Sequence, residues 1–142
     1  MGGPIFWKTL HILAAIWLTV GVFASAVVFA LLKRASDPAG RAFGLRMAWR
    51  LLTVYTLPGA LLSGVLGLYQ VMVGGFAFNR GWIHTSLLLW LLLLAIVLFV
   101  QMPKIREAVR TGSDVPPLVA ILTHVNALFI VVMVFLMTFK PF

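Results

Sequence analysis

The chain has 142 residues, 63% hydrophobic and 10% charged, with no cysteine and a mean hydropathy of +1.11. That composition leaves too little polar surface for a soluble domain and excludes disorder and a collagen-like chain; zero cysteine removes disulfide scaffolds, thiolate zinc sites, Fe–S clusters and c-type haem attachment. The class is integral membrane protein, and the net charge of +8 is to be read from where the cations fall.

The charged residues come in clumps, and between them lie charge-free runs at 9–32, 51–79, 81–103 and 115–139. A helix needs about 20 apolar residues to cross the hydrocarbon core, so each run suffices for one span and none for two. Runs this continuously apolar do not alternate as barrel strands do. The expectation is an all-α integral membrane fold, a single domain over 1–142 with transmembrane helices at roughly 6–32, 51–73, 82–102 and 117–138. Short connections make it an up-and-down bundle. The first run leads into Lys33 and Arg34 like a stop-transfer flank. Within the second, Pro58 should kink the helix. Ser63 with Gly67, and Ala60 with Gly64, form small-xxx-small pairs that let another backbone or a flat ligand approach. Pro116 and Pro117 suit the start of the fourth helix.

The 33–50 connection carries Lys33, Arg34, Arg41, Arg46 and Arg50, and the 104–114 connection carries Lys104, Arg106 and Arg110. The opposite side has only Lys8, Arg80 and Lys140. This bias places both termini and the 74–81 loop outside the plasma (inner) membrane in a multi-pass topology. The cations therefore serve topology and contact with anionic headgroups, and no nucleic-acid role is expected. Trp7, Trp49 and Trp82, near span ends, read as interfacial anchors.

Ionisable residues inside a membrane are costly and are functional candidates by default. Here they are His11, His84 and His124, and no span contains an acid, so the carboxylate relay common in proton pumps is missing. His11 and His84 both fall in the outer third of the membrane, whereas His124 lies near the inner end of the fourth helix and reads as a packing contact. Lys8 precedes His11 by three residues and Arg80 precedes His84 by four, which sets each cation one turn closer to the surface. Adjacent helix axes lie 8–10 Å apart, so the first and third helices, diagonal in a square bundle, are separated by roughly 11–14 Å. Two imidazoles facing across that gap leave room for one iron, with a porphyrin standing along the bundle axis. Its propionates would meet Lys8 and Arg80, and Gly64 and Gly67 would make space for the ring. No Ser–His–Asp set, carboxylate pair or phosphate loop can be assembled, and a mononuclear non-haem metal lacks a third ligand at that depth.

The run from Trp7, Lys8, Thr9, Leu10 and His11 to Trp17, with Gly21 after it, resembles the first helix of HemJ-type and CopD-type small membrane proteins. That helix opens on a Lys-x-Leu-His segment leading to a Trp and a Gly. Leu57, Pro58 and Gly59 through Gly64 and Gly67 are similar to the Pro-Gly and Thr/Ser-Gly pattern of the same group. Trp82 opening the third helix and Pro103 closing it resemble the uncharacterised four-helix relatives. The resemblance implies a b-type haem in a four-helix bundle, with His11 as axial ligand and Lys8 as its neighbour. HemJ-type proteins are protoporphyrinogen oxidases whose first helix continues into Pro-Arg-Leu-Phe-Val-Tyr-His. Here the corresponding stretch, residues 23–29, contains neither Arg nor His. The outer side also lacks the Met- or His-rich entry expected of a copper carrier. The resemblance thus implies haem without naming a reaction.

The leading expectation is a b-haem protein in electron transfer or redox chemistry, with His11 and His84 on iron and Lys8, Arg80, Gly64 and Gly67 around the ring. A bis-His iron favours electron transfer and requires a membrane or periplasmic redox partner. The alternative is a cofactor-free accessory or assembly subunit of a larger respiratory or photosynthetic complex.

Overall fold

The computed structural model describes residues 3–75 and 77–140, the side chain of Pro4 excepted. Four continuous helices account for nearly all of them: α1 (Gly3–Arg34), α2 (Pro38–Val73), α3 (Gly81–Thr111) and α4 (Pro117–Phe139). Each is long and apolar enough to cross a membrane, and no strand occurs among the described residues. α1 packs along α2 and against α4, while α3 packs on α4 and on α2. The first and third helices are therefore the diagonal pair of an up-and-down bundle. The core runs down the middle through Leu18, Val22, Leu52, Ala60, Leu93, Val97 and Val119.

Two connections are shorter than the charge pattern predicts. The segment before residue 51 is helical from Pro38, with Pro38 in the first turn and the Asp37 carboxylate accepting from Gly40 N at 3.3 Å. The third helix does not close at Pro103 but runs on to Thr111, ending at Gly112 (φ 71°), whose N–H donates to Ala108 O at 2.8 Å. Charge marks where a helix leaves hydrocarbon, and an α-helix continues readily into the headgroup layer. Both extensions also have a packing reason, because Leu45 and Ala48 of α2 and Ile105 and Ala108 of α3 are buried where these two segments meet.

α2 and α3 each contain a π-helical stretch, Leu51–Thr56 and Val97–Gln101. Each lies just ahead of a proline, Pro58 and Pro103, which lack the N–H that would have bonded the carbonyl four residues earlier. For Pro58 that carbonyl belongs to Val54, and the Trp17 indole Nε1–H of α1 donates to it at 2.8 Å. The same indole stacks on Tyr55, centroids 4.4 Å apart. A backbone acceptor freed inside the membrane thus finds a donor on the neighbouring helix, as the absence of water there requires. Trp17→Phe keeps the ring contact and removes the donor, with an expected loss of about 1 kcal/mol in unfolding free energy. SDS titration in mixed micelles measures this, and an unchanged midpoint would show that the Val54 carbonyl does not need the indole.

Of the three tryptophans expected as interfacial anchors, Trp82 is instead buried with Ile83 and Leu136. Its flat ring fills the gap between α3 and α4, and Lys140 Nζ lies 5.6 Å from its centroid. Trp7 and Trp49 are half-buried at span ends, Trp7 against Tyr69 and Trp49 beneath Arg106.

Candidate functional site

His11 stands on the core-facing side of α1, one turn above Ala14 and two above Leu18, both buried. Its Nδ1 lies 2.9 Å from the backbone carbonyl of Ser63 on α2. A carbonyl has no hydrogen to give, so Nδ1 is the donor, and in the neutral form of an imidazole so placed the lone pair is on Nε2. Gly67 makes the seat for the ring: a Cβ there would lie 3.0 Å from His11 Cε1 and 3.5 Å from Nδ1. Near the same end, Gln70 Nε2 donates to Trp7 O at 3.3 Å.

The other residues expected around a haem are distributed differently. Gly64, one turn deeper than Gly67, faces α3, and Trp90 occupies the space its missing side chain leaves. The Trp90 indole donates to Ala60 O at 2.7 Å. The small-residue pairs of α2 therefore admit an imidazole on one side and an indole on the other. Lys8 is exposed on α1 one turn beyond His11. Arg80, also exposed, caps α3 in extended conformation, its carbonyl accepting from Ile83 N at 3.2 Å and His84 N at 3.3 Å. His84 is exposed while Trp82, Ile83 and Ser86 around it are buried, so its side chain leaves the bundle. The structure brings His11, Ser63 and Gly67 together and does not bring His84 to them. His124 bonds back to Ala120 O of its own helix at 2.8 Å and is exposed, so it is not the packing contact with another helix that the sequence suggests.

A second polar group sits deeper, towards the basic end of the bundle, and was not anticipated from the sequence. Ser25, Thr56, Gln101, Thr123 and Asn126 are each at most 6% exposed and line one small cavity. Gln101 Nε2 donates to Thr123 Oγ1 at 2.9 Å and to Val119 O at 3.3 Å, and Asn126 Nδ2 donates to Gln101 Oε1 at 3.3 Å. Thr56 Oγ1 and Asn126 Oδ1 have no partner among the described residues, and the cavity of about 10 Å³ between these groups has room for one water. Thr56 and Gln101 are the last residues of the two π-helical stretches; such turns alter the direction in which the following side chains face. Gln101→Leu strands the Asn126 amide and is expected to cost about 1–2 kcal/mol. Adding Asn126→Leu should cost less than the sum of the two single changes; strict additivity in SDS unfolding would show that the two amides do not act together.

Among the described residues, no three His, Cys, Asp or Glu side chains come together to hold a metal ion. A haem iron needs only one or two axial side chains, and of the three histidines only His11 is turned into the bundle. An imidazole that binds metal through one nitrogen usually gives its other N–H to a carbonyl or carboxylate.

Fold and composition together define a multi-pass, all-helical integral membrane protein that contacts the lipid bilayer. The chain belongs to the DUF2269 family of predicted integral membrane proteins, which it matches over residues 5–141. No curated protein and no solved structure matches it.

Proposed function

We propose that the protein binds a b-type haem at the end of the bundle that carries the two termini, with His11 as its axial ligand. On this reading it acts in electron transfer or redox chemistry in the plasma membrane. The observation that supports this best is the Nδ1–H bond to Ser63 O, which fixes the tautomer and leaves Nε2 as a ligand lone pair. Gly67 gives the imidazole room to seat against α2, and Lys8, one turn towards the surface, has the charge and position to meet a propionate. The likeness of the first two helices to HemJ-type and CopD-type proteins points to the same cofactor.

Bound haem supplies one-electron exchange. The chain's own contribution is to orient one imidazole, hold its proton on Nδ1 and offer a cation at the rim. With His84 directed out of the bundle and Gly64 filled by Trp90, His11 is the one histidine of this chain that would hold the iron, and a redox partner in the membrane or periplasm would exchange electrons with it. On the far helix, Arg80 remains a second cation at the same end, and His84, whose side chain leaves the bundle, is not a ligand.

The test is an oxidised and dithionite-reduced absorption spectrum of the detergent-purified chain with pyridine haemochrome quantification. About one b-type haem per chain with high-spin character is expected for a single histidine ligand. A low-spin spectrum would instead require a second strong ligand and return His84 to the iron. A colourless protein, purified without loss of cofactor, would overturn the proposal in favour of a cofactor-free accessory subunit.

A further inference from the structure

At the opposite, basic end of the bundle a larger cavity, of about 220 Å³, opens between the end of α1, the start of α2 and the turn leading into α4. Its floor is apolar, formed by Phe29, Leu32, Leu45 and Ala120, and its polar residues are Lys33, Arg41 and Asp114. Phe29 and Leu45 are buried core residues, so the floor is continuous with the bundle interior, whereas the cations stand where α1 and α2 leave the apolar spans. Arg41 is paired with Asp114. Lys33 has no ion-pair partner among the described residues. From these observations we infer that the cavity binds an anionic phospholipid, its phosphodiester held by Lys33 and Arg41 and the upper part of an acyl chain lying on Phe29, Leu32, Leu45 and Ala120.

Three features favour this occupant. An apolar floor beneath a cationic mouth, at the depth where a span meets the headgroup layer, matches a molecule with a charged head and a hydrocarbon tail. Basic pockets between helix ends at this depth are suited to lipid phosphates. The Arg41–Asp114 pair is no obstacle: its side chains are 37% and 77% exposed, and an ion pair so open to water contributes little. A phosphodiester accepts hydrogen bonds from a guanidinium in the same two-point manner as a carboxylate, so it can take the place of Asp114 on Arg41. Asp114, the acid among the lining residues, stands in the connection between α3 and α4 rather than on a helix. The site is separate from the haem reading, since it lies at the other end of α1 from His11 and uses none of the same residues.

The full-length protein in nanodiscs or mixed micelles, titrated with phosphatidylglycerol and phosphatidylcholine and read by native mass spectrometry, tests the assignment. Wild type should retain phosphatidylglycerol about tenfold more strongly than phosphatidylcholine, the order expected for two cations near a lipid phosphate. Lys33→Gln/Arg41→Gln should bring the two lipids to parity. Arg46→Gln/Lys104→Gln removes the same charge from exposed positions at the same end, outside the cavity, and should leave the preference intact. An equal loss in both double variants would overturn the site in favour of diffuse surface charge. Ala120→Phe fills the floor without altering charge and should displace the lipid; full retention would also overturn the proposal. Glycerol phosphate competing as strongly as the lipid would show a free-phosphate site instead. Retained helical circular dichroism in each variant separates loss of binding from loss of fold.

Discussion

Gly59→Ala is expected to be among the most damaging single-methyl additions in this protein, lowering unfolding free energy by about 2–4 kcal/mol or preventing accumulation in the membrane. A Cβ at that position would lie 2.5 Å from Leu18 N, 2.7 Å from Leu18 Cα and 2.9 Å from Leu18 Cβ. Two of those atoms are backbone and cannot swing aside, so α1 and α2 must separate along their whole contact. Separation would also loosen Gly21 against Thr56, where a Cβ would stand 2.6 Å from the Thr56 amide nitrogen. It would also stretch the bonds from His11 to Ser63 O and from Trp17 to Val54 O. In lipid the association of helices rests on such close van der Waals contact rather than on expulsion of water. Gly40→Ala is the control: its Cβ would meet only Asp37 at an ordinary 3.7 Å, and replacing a helical glycine should be neutral or stabilising by up to about 1 kcal/mol. If SDS unfolding gave Gly59→Ala the stability of wild type, the close approach of the two helices would be wrong.

His11→Ala is expected to reduce haem content to background while costing only about 1 kcal/mol of stability. The stability cost is modest because the Ser63 carbonyl keeps its place in the helical ladder of α2 when the imidazole is gone. His84→Ala should leave haem content unchanged, since its exposed side chain is directed away from the bundle. Lys8→Gln should retain haem but bind it less tightly, through loss of a propionate partner. Pyridine haemochrome assays on the three variants, with circular dichroism to verify folding, distinguish these outcomes. Haem lost from His84→Ala and kept in His11→Ala would reverse the assignment. Full haem content in both would remove histidine ligation from the protein.

The candidate site was only partly legible in the sequence. His11 stands out because an imidazole inside a span is rare, and the periodicity of α1 places it in line with Ala14 and Leu18. That Gly67 is its neighbour follows from similar depth in adjacent antiparallel helices, which counting residues from the ends of spans can supply. The facing of His84 does not follow in this way. The third helix is apolar on every side, with leucine at seven of the eight positions 87–94, so no hydrophobic stripe marks which way the helix is turned. Only the burial of Trp82, Ile83 and Ser86 settles that turn. Gly64 misleads for a related reason: a glycine announces that something approaches closely, and Trp90, the tenth residue of α3, is what approaches.

The polar cluster was missed because its members look unremarkable one at a time. Single serines, threonines and amides are common in membrane helices, where a hydroxyl can bond back to its own backbone, as Ser25 does to Gly21 O at 2.6 Å. Gln101 was the available signal, as a full amide just before Pro103 in a charge-free run. Residue spacing alone placed it at a helix end near water, whereas α3 continues for another ten residues and keeps it inside.

What the sequence by itself determined is the number of spans, their order and their diagonal pairing. These follow from hydropathy and loop length, which are properties of consecutive residues and need no knowledge of neighbours. The tertiary structure alone decided the rotation of α3 that turns His84 outward, the filling of Gly64 by Trp90, the donor that Trp17 supplies to Val54 O, and the assembly of Gln101, Thr123 and Asn126. In hydrocarbon nearly every face is apolar enough to meet either lipid or protein, so rotation is set by the few places where small residues admit a neighbour and polar atoms must find partners. Those pairings join residues tens of positions apart, and no pattern along the chain contains them.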